Sequence, residues 1–345
     1  MEKKYFGRTK AGEETFLYTI ANTKGMRVLL TDFGAALVSV FVKDKNGRDT
    51  DVILGYDDVS SYEKETNYFG ATVGRNCNRI SNAEITIDDV HYILEANDNE
   101  NNLHSGSNGF SERIWTVKEH RDNSITLTIE DADMQQGFPG NASVELTFEV
   151  TEENGLKITY HAVSDKKTVF NFTNHAYFNL NGEGTAMNHV LQICASHYTP
   201  VQNAKAIPTG EIAAVDGTPF DFREPKPIER DITADNEQLK FGNGYDHNYA
   251  IDKEQEGMET IAAVYSEKSG IRMEVSTDCI GIQLYTANFI GGQKGKGGVI
   301  YNDRDAFCLE TQYFPNAVNE PNFTTPVTEA GEPYDSTTIY TFGTI

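Results

Sequence analysis

The chain has little positive charge: 29 lysines and arginines stand against 52 aspartates and glutamates, and the formal net charge is −23 at pH 7. Phosphate groups are bound by clustered basic residues, so this imbalance argues against a nucleic-acid partner and against an anionic membrane surface. The sequence also lacks any apolar run near the ~20 residues that a membrane helix needs. Residues 1–5 lead into polar sequence without the apolar core of a secretory signal, which predicts a cytoplasmic protein.

Cysteine and metal motifs are missing as well. Cys77, Cys194, Cys279 and Cys308 form no CxxC pair, and the last three lie in apolar, strand-like runs, so we expect free core thiols in a reducing compartment. The sequence has neither an HExxH motif nor a GxSxG elbow, and the glycine-rich residues 291–298 lack the Gly-Lys-Ser/Thr ending of a phosphate loop. We therefore predict no metal and no cofactor, and we interpret residues 291–298 as an exposed loop.

What the sequence does contain is alternation with a period of two. Residues 125–130 and 144–150 alternate apolar with polar side chains, which is the pattern of half-buried strands. Asn46-Gly47, Asp88-Asp89 and Asn154-Gly155 each separate two strand-like runs and predict the turns of antiparallel hairpins. The predicted fold class is therefore all-β, a large antiparallel β-sandwich with few short helices.

Helical patterns are few and short. Residues 59–66 predict two helical turns, and residues 234–239 predict one. No series of strand–helix–strand units occurs, which argues against a doubly wound parallel sheet. Because we find no convincing domain boundary and no repeat, we expect residues 1–345 to form a single domain.

Six polar segments interrupt the alternation and are rich in asparagine, histidine, tyrosine and glycine. A sugar offers hydroxyl groups and an apolar ring face, so a site for it needs amide and imidazole groups beside aromatic rings. These segments supply both kinds of side chain, although such loops also occur in other β proteins. The segments are residues 74–80, 101–106, 171–179, 244–248, 281–289 and 309–315.

Three residues in these segments are candidates for chemistry. Glu310 lies in an apolar, strand-like run, where a carboxylate either pairs structurally or acts as an acid or base. His175 lies in another apolar run, where a hydrogen-bonded core histidine is the usual structural interpretation, so both alternatives stay open for both residues. Cys77 lies near Arg75 and Arg79, which could lower a thiol pKa, but a small buried side chain is the simpler interpretation.

Short motifs follow one another through nearly the whole chain, from Gly34 to Phe323. They are Asn78-Arg79-Ile80, Leu103-His104, Thr173-Asn174-His175, Tyr177-Phe178-Asn179-Leu180, residues 207–211, Tyr245-Asp246-His247, Leu309-Glu310-Thr311-Gln312 and Phe314-Pro315. In this order they resemble the signature stretches of the aldose 1-epimerase (galactose mutarotase) family. The resemblance implies a large antiparallel β-sandwich with the site in an open cleft on one face.

The resemblance also implies roles for individual residues. Glu310 is implied as the general base and His175 as the general acid. The base takes a proton from the hydroxyl on C1, the acid protonates the ring oxygen O5, and the opened ring closes again on the other carbonyl face. The residues implied to bind the sugar are Asn78, Arg79, His104, Tyr177, Asp246 and Gln283.

This mechanism sets expectations for substrate and protonation. Free hexoses such as galactose and glucose are the implied substrates, and the protein is expected to be a monomer or a weak homodimer. The ordinary pKa values of glutamate and histidine predict a resting state with Glu310 ionised and His175 protonated. A carboxylate or carbonyl neighbour would then be needed to keep His175 charged.

Three other functions compete with this interpretation. A glycoside hydrolase would use two carboxylates, such as Glu310 and Asp246. An epimerase of hexose 6-phosphates would need a cationic pocket, to which Arg75 and Arg79 could contribute. A non-catalytic sugar-binding module would keep the polar and aromatic lining without needing both Glu310 and His175.

Overall fold

Antiparallel sheets make up most of the molecule. The computed structural model describes residues 2–64 and 67–345, and in these ranges all strands that pair within a sheet run antiparallel. This confirms the predicted all-β, antiparallel fold class. No helix in the same ranges is long and apolar enough to cross a membrane.

The strands of the described residues are numbered β1 to β29 in chain order. The first fifteen are β1 (Glu2–Arg8), β2 (Glu14–Ala21), β3 (Arg27–Thr31), β4 (Leu37–Lys43), β5 (Asp49–Asp51), β6 (Thr72–Val73), β7 (Arg79–Ile80), β8 (Glu84–Ile87), β9 (Val90–Ile93), β10 (Asn102–Leu103), β11 (Thr116–His120), β12 (Ser124–Asp131), β13 (Ala142–Val150), β14 (Gly155–Ser164) and β15 (Thr168–Val169). The others are β16 (Thr173–Asn174), β17 (Val190–Ile193), β18 (His197–Thr199), β19 (Ala213–Ala214), β20 (Lys226–Pro227), β21 (Asp246–Ala250), β22 (Glu259–Tyr265), β23 (Ile271–Thr277), β24 (Gly281–Tyr285), β25 (Gln293–Lys294), β26 (Ile300–Tyr301), β27 (Cys308–Gln312), β28 (Val327–Thr328) and β29 (Pro333–Thr344).

Three large sheets organise the core. One has nine strands in the order β11-β12-β13-β14-β29-β23-β22-β17-β20, and two have five strands in the orders β1-β2-β3-β4-β5 and β19-β18-β21-β24-β27. Leu146 and Phe148 of the nine-stranded sheet belong to one apolar cluster with Val28 and Val40 of the first five-stranded sheet and Leu284 of the second. The layers therefore share one core, as the predicted sandwich requires.

The three predicted hairpin turns are confirmed. Gly47, with φ of 75°, lies in the turn between β4 and β5, and Asn154, with φ of 60°, precedes β14. Asp88 and Asp89 join β8 to β9 with φ of 48° and 63°. Positive φ at both Asp88 and Asp89 matches the right-handed twist of paired strands, and aspartate tolerates this conformation better than most residues.

Two α-helices occur in the described residues, α1 (Val59–Tyr62) and α2 (Glu237–Gly242). Asp58 caps α1 by accepting from the Ser61 amide, so the helix predicted over residues 59–66 begins where expected. It ends at Tyr62 after one turn, so the prediction of two turns is wrong at residues 63 and 64, while residues 65 and 66 lie outside the described residues. The helix predicted at 234–239 begins instead at Glu237, because the Asn236 side chain accepts from the amides of the first turn. The 3₁₀ segments are Ser81–Ala83, Phe110–Glu112, Gln135–Gly137, Ile228–Arg230 and Lys296–Gly298.

The glycine-rich residues 291–298 are more than an exposed loop. The ammonium of Lys296 donates to the carbonyl oxygens of Val38 and Ile53 at 2.6 and 2.8 Å and to Asp51 Oδ2 at 2.7 Å. The prediction of a wholly exposed loop is therefore wrong at Lys296, whose side chain ties the segment to β4 and β5.

The cysteines also differ in part from the expectation. All four are free, and Cys77 and Cys308 are buried, as predicted. Cys194, however, is exposed, because β17 ends at Ile193 and the thiol lies just beyond the strand. The expectation of a core thiol is wrong at Cys194, and it holds only in part at Cys279, which is half-buried.

Candidate active site

Strand β27 presents two different faces. Cys308, Glu310 and Gln312 share one of them, because side chains two positions apart on a strand point the same way. Leu309, one position away, belongs to the apolar core. A single strand thus supplies polar groups to one side and packing to the other.

Two neighbouring strands extend the polar face. Gln283 of β24 lies opposite Glu310, and Asn248 of β21 lies opposite Gln283. One step along the same face, Asp246 lies opposite Tyr285. The sheet register therefore brings together residues that are up to 64 positions apart, from Asp246 to Glu310.

His175 reaches the same place from another element. It directly follows β16, which pairs with β6. Its amide donates to the carbonyl of Ala71, and its carbonyl accepts from the amide of Gly70, both at 2.9 Å. These bonds fix the backbone of His175 against residues 70–71.

Arg79 and His104 are brought together by a two-residue ladder. Leu103 of β10 pairs with Arg79 of β7, which puts His104 next to Asn78. The Asn78 amide donates to Nδ1 of His104 at 3.1 Å. Because a backbone amide can only donate, Nδ1 accepts, and a neutral His104 carries its proton on Nε2. Burial lowers the pKa of His104 well below its usual value, which favours this neutral donor.

These elements surround a cavity of about 160 Å³. Seven of the eight residues predicted from the sequence line it, and Gln283 does not. The lining residues are Asn67, Tyr68, Asn78, Arg79, Leu103, His104, His175, Tyr177, Asp246, Tyr285, Phe289 and Glu310.

Glu310 and His175 face each other in this cavity. Nε2 of His175 lies 3.6 Å from Oε2 of Glu310, and the two side chains are 8% and 3% exposed. In the described part of the chain, the Glu310 carboxylate accepts no hydrogen bond from any other protein group. Two ionisable groups are therefore buried, adjacent and open to a ligand.

Burial opposes charge on both members of this pair. It raises the pKa of Glu310 well above its usual value, and the nearby Asp246 raises it further. It lowers the pKa of His175 to about 4. These directions run against the expected resting state of ionised Glu310 and protonated His175, because desolvation disfavours either charge. In both states, however, the pair holds one proton.

Gln283 lies behind Asp246. Its Nε2 donates to Asp246 Oδ1 at 2.7 Å, and Nε2 of Gln312 lies 3.4 Å from Oε1 of Gln283. The Gln283 side chain is 3% exposed. Its position orients the Asp246 carboxylate, while a direct contact with a ligand stays a prediction.

Arg79 is held by Asp98, a residue that lies outside the six polar segments. Its Nε donates to Asp98 Oδ2 at 2.8 Å. The Nη atoms of Arg79 make no hydrogen bond to the protein in the described ranges, and Arg79 lines the cavity. Asp98 therefore leaves the end of the guanidinium available to a ligand.

Aromatic rings pack around the two imidazoles. The Tyr177 ring stacks on His175 with centroids 5.0 Å apart and planes 19° apart. Tyr68 contacts His104 edge-on at 4.6 Å and lies parallel to His175 at 6.0 Å. Tyr285 approaches His175 edge-on at 6.3 Å. Such contacts restrict the orientation of the His175 ring.

Tyr68, Tyr285 and Phe289 received no role from the sequence. Tyr285 and Phe289 lie in the polar segment 281–289, so that segment was the available signal. Tyr68 lies outside all six segments and has φ of 57°, which is sparsely populated for a bulky residue. Near Tyr68, the sequence indicates a sugar site only through the adjacent amide and aromatic side chains of Asn67 and Tyr68.

Three side chains at the edge of the cavity bring together atoms that could be considered as metal ligands. His175, Cys308 and Glu310 place one potential ligand atom each within 4.8 Å of one another, which the spacing of these residues in the sequence did not suggest. Burial raises the pKa values of the Cys308 thiol and the Glu310 carboxyl, and metal ligands must be deprotonated. The chemistry of this set therefore fits a metal poorly.

Arg75 has a structural role and is bonded to other parts of the fold. Its Nε donates to Asp131 Oδ2 at 2.5 Å, and its Nη atoms donate to the carbonyls of Pro139 and Gly140 at 2.8 and 2.7 Å. This removes one of the two arginines on which the hexose 6-phosphate alternative depends. Burial raises the pKa of the Cys77 thiol, opposite to the lowering that an arginine neighbour would cause.

Comparison with known proteins agrees with this geometry. The sequence profile of the aldose 1-epimerase family matches residues 17–341. The chain is 38% identical to pig (Sus scrofa) galactose mutarotase, over 98% of this chain and 97% of that protein, and 35% identical to Escherichia coli aldose 1-epimerase, over 96% of each. A Caenorhabditis elegans homologue of aldose epimerase superposes with a TM-score of 0.87 at 33% identity, covering 96% of this chain and 99% of that one. The galactose 1-epimerase of Lactobacillus acidophilus gives a TM-score of 0.87 at 28% identity, covering 99% and 98%. The chain therefore belongs to the aldose 1-epimerase family.

Proposed function

We propose that this chain interconverts the α and β anomers of free hexoses, with Glu310 as the base on the C1 hydroxyl and His175 as the acid on the ring oxygen. The observation that carries the proposal is the 3.6 Å separation of His175 Nε2 and Glu310 Oε2. The two sugar oxygens involved are bonded to the same carbon, so the base and the acid must end within a few ångströms of each other. The Glu310–His175 pair meets this requirement.

The single proton of the pair supports the same reaction. The reactive form, with Glu310 as carboxylate and His175 as imidazolium, contains as many protons as the neutral form that burial favours. Transfer of that proton within the pair converts one form into the other. Opening then moves the O1 proton to Glu310 and the His175 proton to O5, and closure returns both.

The remaining lining residues have roles that fit a pyranose. Arg79 and the neutral His104 offer donors to ring or hydroxyl oxygens, and Asp246 offers acceptors for a pair of hydroxyls. Asn78 offers an amide. Tyr177 presents an aromatic ring beside His175, as sugar sites commonly do for an apolar ring face.

The location and the assembly of the protein are proposals as well. We propose a cytoplasmic location, which fits the four free cysteines. A single domain over residues 1–345 and a monomer or weak homodimer stay predictions.

Polarimetry on freshly dissolved α-galactose tests the proposal. Wild-type protein is expected to accelerate the change in rotation, and Glu310→Gln or His175→Asn is expected to lose at least about 10²-fold. His197→Asn and Glu229→Gln, both exposed and outside the cavity, are matched controls that should retain activity. Circular dichroism spectra of all variants check that the fold persists. Near-normal turnover by either cavity variant would refute the assignment, and the same assay on glucose, xylose and arabinose measures the sugar preference.

A further inference from the structure

The second nitrogen of His175 has a neighbour to which the mechanism gives no role. Sγ of Cys308 lies 3.6 Å from Nδ1 of His175. Cys308 is fully buried in β27 and shares a face with Glu310. It does not line the cavity, so it cannot be a sugar contact. The imidazole is thus flanked by Cys308 on its Nδ1 side and by Glu310 on its Nε2 side.

The Cys308 thiol stays protonated in this setting. Burial raises the pKa of the thiol well above its usual value, and Glu310 and Asp246 raise it further. A neutral thiol is a weak donor and a weak acceptor, but it is not a competing base or nucleophile. Its contribution is therefore a hydrogen bond to one ring nitrogen.

The direction of that bond decides which nitrogen does the chemistry. A neutral imidazole carries its proton on one nitrogen only. If the proton is on Nδ1, Nε2 is free to exchange a proton with Glu310 and with the sugar. If the proton stayed on Nε2 of a neutral ring, further loss of it would leave an imidazolate, which is not accessible near neutral pH. A partner that accepts from Nδ1–H therefore keeps Nε2 as the working nitrogen.

We infer that the sulfur of Cys308 accepts a hydrogen bond from Nδ1–H of His175 and so fixes the tautomer in which Nε2 faces Glu310 and the sugar. Cys308 is in this sense a positioning residue. The inference rests on the proposed function for its catalytic consequence, but the tautomer itself is a property of the unliganded protein. The Nδ1 proton stays on the ring throughout the cycle, and only the Nε2 proton moves.

Nitrogen-15 NMR of the imidazole tests the tautomer directly. In labelled wild-type protein, the His175 signals, identified by their loss in His175→Asn, are expected to show a protonated Nδ1 and an unprotonated Nε2 near neutral pH. In Cys308→Val, which has no acceptor, the population is expected to move towards protonated Nε2. A wild-type His175 protonated on Nε2 alone, or an unchanged tautomer in Cys308→Val, overturns the inference.

Kinetics supply the second measurement. Cys308→Val is expected to lower kcat about 10- to 100-fold with KM nearly unchanged, because a hydrogen bond to a charged group is lost outside the cavity. Cys308→Ser restores an acceptor and is expected to recover most of kcat, which a purely packing role would not do. Cys194→Ser, at an exposed thiol, is the matched control and should match wild type.

The outcomes separate this inference from the proposed function. Failure of wild-type protein to accelerate mutarotation, together with a tautomer that depends on Cys308, would contradict the function and leave the inference standing. Full activity in Cys308→Val contradicts the inference alone. If circular dichroism shows that Cys308→Val is unfolded, Cys308→Ser is compared with wild type instead. A folded serine variant that has a changed His175 tautomer and a normal kcat also contradicts the inference.

Discussion

Two buried pairs of ionisable side chains in this molecule are surrounded in opposite ways. Arg75 and Asp131 are 1% and 4% exposed, and His175 and Glu310 are 8% and 3% exposed. The guanidinium of Arg75 donates to Asp131 and to several carbonyls, and the second oxygen of Asp131 accepts from Arg113. The Glu310 carboxylate, in contrast, accepts no hydrogen bond from a protein group in the described residues, and Nε2 of His175 lies 3.6 Å from it.

The difference separates structure from chemistry. A buried charge is tolerated when every donor and acceptor is satisfied, as at Arg75. A buried pair without hydrogen-bond partners lowers stability, and a fold retains it where a ligand or a reaction uses the unoccupied donor and acceptor positions. Burial alone would not have distinguished the two pairs, whereas their hydrogen bonds do.

The largest expected effect is on the satisfied pair. Arg75→Met leaves Oδ2 of Asp131 and several carbonyls without their donor and should lower the free energy of unfolding by about 3–5 kcal/mol. Chemical denaturation measures this. Arg272→Met, which removes the exposed ion pair with Glu274, is the control and should cost below about 1 kcal/mol. Equal losses in the two variants would contradict the comparison.

The unsatisfied pair should respond in the reverse way. Glu310→Gln is expected to lower kcat by at least about 10²-fold. Its free energy of unfolding should stay the same or rise near neutral pH, because burial opposes the ionisation of Glu310 and an amide has no ionised form to lose on folding. Denaturation and polarimetry on the same preparation check both halves. A stability loss as large as that of Arg75→Met would show that Glu310 is structural.

Asp98 provides a test of how far the site depends on the orientation of the Arg79 guanidinium, of which only Nε is bonded to the protein in the described residues. Asp98→Asn weakens the bond that orients Arg79 and should lower kcat/KM about 5- to 10-fold. The pair is partly exposed, at 18% and 24%, so the free energy of unfolding should change little. Saturation kinetics on galactose measure the effect, and an unchanged kcat/KM would remove Asp98 from the site.

Glu112 provides a test of whether a partly buried acid outside the cavity matters for catalysis. Burial, followed by the charge of Glu63, raises its pKa from 4.5 to about 7. The folded chain then holds the proton more tightly than the unfolded chain, so this contribution to stability is full below pH 4.5 and is lost as the pH rises through about 7.

Glu112→Gln should therefore raise the free energy of unfolding at pH 8 and have no effect near pH 4. We expect a gain of about 1 kcal/mol, less than the full change in pKa corresponds to, because the side chain is partly exposed and solvent screens it. Because the residue lies outside the cavity, kcat should not change. Melting curves at the two pH values check the first expectation. A stabilisation that is equal at both pH values would show that the raised pKa is not the cause.

Much of the fold could be predicted from local patterns. Alternation gives strands because one face of a sheet is buried, and turns such as Asn154-Gly155 identify themselves by residues that accept positive φ. The position of Cys194 and the burial of the Lys296 ammonium could not be predicted in this way. Both depend on where a strand ends or on which distant strands lie beneath a loop.

The candidate site was predictable for the residues that stand in motifs. Seven such residues line the cavity, and the register of β21, β24 and β27 explains how Asp246 comes close to Glu310. Tyr68 and Asp98 were missed because each acts through a contact with a residue far away in the chain. Nor could the sequence indicate the burial that shifts the pKa values of His175 and Glu310.

The alternation along β27 has a consequence for how this enzyme can vary. Inserting or deleting one residue within Cys308–Gln312 would turn Glu310 towards the apolar interior and Leu309 towards the sugar. Such a change would prevent the chain from folding, whatever its effect on turnover. Insertions and deletions in this strand are therefore not tolerated in evolution. New sugar preferences must arise by replacing side chains or by changing the loops around them.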